Sequence, residues 1–222
     1  MSWLRIRRTA LLGLALPFLY FGTASATFLY RLHEENSLRT GMRLPTAAPP
    51  TAAERLLIFS PHPDDETLGC GGLIQQVKAA GGKVRVVFLT NGDGFRVGVE
   101  REFRRLNALP QDYVRFAAVR QDETCRALAK LGVPRTDITF LGYPDRGLLS
   151  LWTDHWSEDA PYTSPYTRAS SSPYADTWQP GSVYCGQGLL NTVKRMVRET
   201  RPTDVFVTHP SDDHIDHTAA SS

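Results

Sequence analysis

The chain is short of cysteine. Its three, Cys70, Cys125 and Cys185, are an odd number with no C-x-x-C spacing, which excludes a disulfide scaffold and a cysteine-built zinc framework. Charge of one sign is also missing. The formal net charge is +2 and no basic stripe with interleaved aromatics occurs, so nucleic acid is not an expected partner. The glycine turn Asn91-Gly92-Asp93-Gly94 lacks G-x-G-x-x-G and any following Lys-Ser/Thr, which rejects a phosphate loop. No internal repeat is visible. What remains is a chain of ordinary composition, whose 222 residues suffice for one domain with a real core plus appendages.

Histidine is scarce as well, six in all, yet the histidines are not scattered. His62, Asp64 and Asp65 fall within four residues in Ser60-Pro61-His62-Pro63-Asp64-Asp65-Glu66, directly after the strand-like run Arg55–Phe59. His209, Asp212, Asp213, His214, Asp216 and His217 fall within nine residues, directly after the strand-like run Asp204–Thr208. Pro, Asp and Gly also punctuate turns and cap helices. That simpler reading does not explain why both clusters follow apolar strands. In an open α/β sheet the C-terminal strand edge is where ligands bind, and imidazole with carboxylate is metal-ligand chemistry. Two such clusters on parallel strands can converge on one ion.

In chain order, Arg5, Arg7 and Arg8 precede Thr9–Tyr30, an uncharged run long enough to cross a bilayer. The same pattern fits a signal peptide with Ala24-Ser25-Ala26 as its cleavage site. Phe28-Leu29-Tyr30 continue the apolar run past that site, which favours an uncleaved membrane anchor. Both readings keep the arginines cytoplasmic and export the rest. Residues 31–53, with Pro45, Pro49 and Pro50, form a semi-extended linker. The globular domain covers 54–222. Strands are expected at Leu56–Ser60, Lys83–Thr90, Ile138–Leu141 and Asp204–Thr208. Helices are expected at Thr67–Ala80, Tyr113–Leu131 and Val183–Glu199, with joints short enough for right-handed βαβ units. Phe95–Asp112 is expected to be irregular. Leu148–Pro180 shows no helix or strand period, and its aromatics among hydroxyls suit either sugar stacking or a surface excursion packed on itself. His217–Ser222 begins a helix too short to hold itself. The expectation is a C-terminally incomplete domain with His217 on a fraying end.

Together these stretches resemble the PIG-L/LmbE-like family of zinc-dependent N-acetylglucosaminyl deacetylases. The residues that carry the resemblance are Pro61-His62-Pro63-Asp64-Asp65-Glu66 and His214-Ile215-Asp216-His217. Thr90-Asn91-Gly92-Asp93, Arg120-Gln121-Asp122-Glu123 with Leu131-Gly132, and Gly142-Tyr143-Pro144-Asp145 support it. The likeness runs from about Leu56 to Ser222. It implies a Rossmann-like, mostly parallel α/β sheet flanked by helices, with Zn2+ at the C-terminal strand edge. It implies His62, Asp65 and His217 as metal ligands, an arrangement that leaves a position open for water. Asp64 is then expected as general base, and His214 as oxyanion donor or proton donor to the leaving amine. Asp216 is expected to fix a histidine tautomer, while Arg120 and Asp145 resemble substrate-contacting positions. The implied partner is an N-acetylated amino sugar. The competing readings are a metal-dependent phosphoesterase and a catalytically weak, membrane-tethered sugar-binding domain. The phosphoesterase needs more bridging carboxylates than can be assigned, and a binding module needs no base at Asp64.

Overall fold

The computed structural model describes residues 20–34, 37 and 47–222. The chain divides into two units, Met1–Ala48 and Pro49–Ser222. In the first, residues 20–34 are helical and exposed. The arginines before the uncharged run, that run up to residue 19, and linker residues 35–36 and 38–46 lie outside the described residues. Among the described residues no helix is long and apolar enough to cross a membrane.

The second unit is built on four parallel strands: β1 (Arg55–Ser60), β2 (Lys83–Thr90), β3 (Ile138–Tyr143) and β4 (Asp204–Phe206). They lie in the order β3-β2-β1-β4. The chain therefore adds β2 and β3 on one side of β1 and returns to place β4 on the other. The reversal falls between β1 and β4, and the crevice at such a switch point is where open α/β sheets bind ligands. The two histidine clusters leave β1 and β4 at that point.

Side chains alternate across each strand, so the sheet has two core layers. Leu57, Phe59, Val87, Leu89, Leu141 and Tyr143 face one side, packed on Leu148, Leu151, Leu189, Met196 and Ala219. Leu56, Ile58, Val84, Val86, Phe88 and Phe140 face the other, packed on Ile74, Val77 and Leu128. The helices supplying these residues are α1 (Asp65–Ala79), α3 (Pro110–Lys130), α4 (Leu148–Thr153), α5 (Gly186–Thr200) and α6 (Ile215–Ala220).

Three expectations change. The Arg-rich stretch holds a seven-residue helix, α2 (Arg96–Glu102), organised by buried Val99 and an Arg96–Glu100 pair at 2.7 Å. The long helix starts three residues early because Pro110 occupies its first turn, where a missing N–H costs nothing, and Asp112 accepts from the Leu109 amide at 2.9 Å. The aromatic stretch includes α4, and its aromatics mostly pack inward or along the sheet edge. Tyr174 is buried, the Trp178 backbone amide donates to the Phe140 carbonyl at 2.7 Å, and Arg195 lies 5.1 Å over the Trp178 ring. Trp156 and Trp178 keep 42 % and 37 % of their surface exposed, so the stretch packs on itself in part and also presents two indoles to solvent.

Candidate metal centre

The loop after β1 is fixed before any side chain reaches out. The Ser60 hydroxyl donates to the His62 carbonyl at 2.7 Å, and Thr90 donates its amide (3.0 Å) and hydroxyl (2.8 Å) to the Pro61 carbonyl. Asp65 opens α1, and its Oδ2 accepts from the His62 amide at 2.9 Å. Across the switch point His214 caps α6, its Nδ1 accepting from the Asp216 amide at 3.2 Å. That bond assigns the proton of a neutral His214 ring to Nε2. Helix α6 is only six residues long and is held by contacts from outside it. Ala219 is buried, the Trp152 Nε1–H donates to the Ala219 carbonyl at 3.1 Å, and the Thr208 hydroxyl donates to the His217 carbonyl at 2.8 Å. Tertiary contacts supply what a single turn lacks.

Three atoms then meet. His62 Nδ1, Asp65 Oδ2 and His217 Nε2 stand 3.2 Å from one another along all three edges of a triangle. Ligands bonded at about 2.1 Å in a tetrahedral zinc site are about 3.4 Å apart. The triangle is therefore within a few tenths of an ångström of closing on an ion without rearrangement. Each histidine is backed by a carboxylate on its other nitrogen. Asp216 Oδ2 is 3.1 Å from His62 Nε2, and Asp212 Oδ2 is 3.0 Å from His217 Nδ1. The Asp216 bond fixes the tautomer that turns the His62 lone pair toward a metal, while Asp212 stands at ion-pair distance from His217. Asp145 and His214 also approach His62, so donors of His62, Asp145, His214 and Asp216 lie within 4.8 Å of one another. The carboxylates in that second group are already engaged. Asp216, fully buried, accepts from the amides of Arg146 (2.6 Å) and Leu148 (3.1 Å), and Asp145 accepts from the Gly94 amide at 2.7 Å.

The electrostatics call for positive charge at this point. Burial works against a charged His62 ring, yet hydrogen bonds with Asp145, Asp216 and Asp65 outweigh it and push its pKa up to about 12. Burial alone would raise the Asp65 carboxyl, but the His62 hydrogen bond and charge hold it below its ordinary value. His214 is lowered by burial and by the neighbouring His62 charge, which keeps it neutral.

Asp64 takes no part in the triangle. Its side chain is 58 % exposed and its Oδ2 accepts from Arg120 Nη2 at 3.0 Å. A cavity of about 210 Å³ opens there, lined by His62, Asp64, Phe95, Arg120, Arg146 and His214 among others. Arg120 stands in its wall, also donating to the Pro63 carbonyl, and lies flat against Gly92, where a Cβ would come within 3.0 Å of the guanidinium. The Asp145 carboxylate also borders the cavity but is turned to Gly94 and His62, at 3.3 Å from His62 Nε2. Its present bonds support His62, and it also lines the cavity beside Asp64 and Arg120.

The sequence reading missed Asp212 as the partner of His217. It also left Asp93 in a turn. Asp93 is fully buried, and burial together with the adjacent Asp145 pushes its carboxyl up to about 7. A second strand-end carboxylate following buried Thr90 and Asn91 was the available signal.

A parallel sheet with two imidazoles and a carboxylate at its switch point, and an Arg120-bound carboxylate beside them, defines an α/β protein with a candidate metal site. The chain belongs to the family described as PIG-L: GlcNAc-PI de-N-acetylase, whose model matches residues 57–222. It is 33 % identical over 180 residues to a 1D-myo-inositol 2-acetamido-2-deoxy-alpha-D-glucopyranoside deacetylase 1 of Catenulispora acidiphila, covering 78 % of this chain and 47 % of that protein. A deacetylase of the same description from Salinispora arenicola is 38 % identical over 104 residues, 45 % of this chain and 32 % of that protein. Among solved structures, the N,N'-diacetylchitobiose deacetylase of Pyrococcus horikoshii aligns at 22 % identity with a TM-score of 0.49, covering 76 % of this chain and 46 % of that one. The chain thus spans about half or less of the length of these relatives.

Proposed function

We propose that this chain carries the metal centre of a zinc-dependent hydrolase that removes the acetyl group from an N-acetylated amino sugar. The observation that carries the reading is the 3.2 Å triangle with Asp64 left outside it. Two neutral imidazoles and one carboxylate suit zinc among the divalent ions, and His62, Asp65 and His217 would hold it. When bound, the ion supplies an acidified water and a polarised acetyl carbonyl. Asp64 accepts the proton of the attacking water, its carboxylate oriented by Arg120. His214, neutral and protonated on Nε2, donates a hydrogen bond to the oxyanion, and the proton taken up by Asp64 passes to the departing amine. Asp216 holds His62 in the productive tautomer, and Asp212 stands at ion-pair distance from His217. The family and the relatives' printed activities support an acetamido sugar as substrate.

The test is acetate release, followed by mass spectrometry, from N-acetylglucosaminides incubated with zinc-loaded protein. Asp64→Asn is expected to keep the metal and lose about 10²–10⁴-fold in turnover. An Asp64→Asn protein that turns over normally would remove the base. The phosphoesterase reading is disfavoured because the carboxylates nearest a second ion, Asp145 and Asp216, are bonded to backbone amides. Location is part of the proposal. Arg5, Arg7 and Arg8 before Thr9–Tyr30 support a membrane-anchored, extracytoplasmic domain, with secretion after cleavage as the alternative. Reporter fusions after residue 53 decide the side, and a mature N-terminus at Thr27 would mark cleavage.

A further inference from the structure

We infer that Glu66 and Arg120 are positioning residues that clamp Asp64 in a strained backbone state, and that this strain aims its carboxylate into the cavity. The inference rests on the reading of Asp64 as the base. Among the described residues five non-glycine positions have positive φ. Arg104, Arg146, Arg168 and Arg201 lie between 47° and 61°, in the ordinary left-handed region. Asp64 stands apart at φ 129°, ψ −31°, which a side chain opposes sterically.

Every polar group of Asp64 has a contact that holds this state. Its amide donates to Glu66 Oε2 at 3.0 Å. Its carbonyl accepts from the amides of Thr67 (3.0 Å) and Leu68 (2.9 Å). Its carboxylate and the preceding Pro63 carbonyl both accept from Arg120 Nη2. Glu66 is only 2 % exposed, and its second oxygen accepts from the Thr67 hydroxyl at 2.6 Å. Burying a carboxylate is costly, and helix capping alone does not require it, since an ordinary cap residue sits in relaxed extended backbone. The strained backbone separates two adjacent carboxylates by task. Asp65 points into the triangle and Asp64 points at Arg120 and the cavity.

The first test is thermal and needs no turnover, so it stands even if the deacetylase reading fails. Glycine in place of alanine ordinarily lowers stability, but φ 129° suits glycine and not alanine. Asp64→Gly is therefore expected to melt above Asp64→Ala, and the gap is expected to shrink in a Glu66→Ala background, where the backbone relaxes. Where Glu66→Ala fails to fold, Arg120→Lys takes its place. In turnover, Glu66→Ala is expected to lower kcat by about 10²-fold with KM and zinc content held, and Glu66→Gln to restore most of it. Asp64→Gly melting at or below Asp64→Ala overturns the inference. So does a Glu66→Ala loss of equal size in wild-type and Asp64→Ala backgrounds.

Discussion

The loops after β1 and β4 each deliver a histidine to one triangle, but the first is woven into the sheet and the second is pinned on from outside. Five of the six β1 residues are buried, whereas all three of β4 are exposed. His62 is backed by a carboxylate with no exposed surface, and His217 by one whose side chain is 37 % exposed. The first half of the metal centre is therefore preorganised by the same bonds that hold the core. The second half depends on a few side-chain anchors, chiefly Asp216, Trp152 and Thr208.

The largest effects should come from the histidines themselves. His62→Ala and His217→Ala are both expected to abolish stoichiometric zinc in metal analysis after dialysis. Only His62→Ala should also lower the melting temperature of metal-free protein clearly, because it leaves Asp216 and Asp145 facing each other without their shared partner. Equal melting temperatures would erase the contrast between the loops.

The strands behind the loops sharpen it next. Leu57→Ala in β1 should cost about 2–5 kcal/mol in denaturant unfolding, since the site is fully buried, while Val205→Ala in β4 should stay within about 0.5 kcal/mol. A large Val205 effect would mean that β4 is covered in solution. The supporting carboxylates come third. Asp216→Asn should weaken zinc affinity toward the 100-fold end of the usual 10–100-fold range, and Asp212→Asn toward the 10-fold end or below it. Competition with a zinc chelator ranks them, and the reverse order would move the weight to the exposed loop.

The last effect concerns pH. The folded Asp93 carboxyl titrates at about 7 and the unfolded one near 3.8. Between those values the folded state holds a proton that the unfolded state has lost, so stability falls as pH rises. Asp93→Asn removes that fall, and its melting temperature minus that of wild type should grow from pH 4 to pH 7. A constant difference would show that Asp93 ionises normally beside Asp145 and Tyr174.

The strands were legible because β1, β2 and β3 are continuous apolar runs, as strands buried on both faces must be. The convergence of the two clusters was legible because histidine and aspartate are concentrated after two strand-like runs, and the structure brings His62, Asp65 and His217 together. Strand order was not legible, since nothing local in Asp204–Phe206 says that it pairs with β1 rather than β3. The bonds of Asp145 were not legible, because its partners, Gly94 and His62, are 51 and 83 residues away in sequence and meet it only once the sheet has formed. Glu66 was named only as the end of its motif, because a backbone angle at its neighbour leaves no mark in composition.

Trp152 has a use beyond packing. Its indole N–H is bonded to the carbonyl of Ala219, two residues past His217, and its ring lies 5.7 Å from that of Trp156. Indole emission changes colour and yield with hydrogen bonding and local polarity. The unlabelled chain therefore carries its own optical gauge of helix α6. A shift in its emission as zinc is titrated would report, in real time and without any substrate, the moment the His217 helix seats.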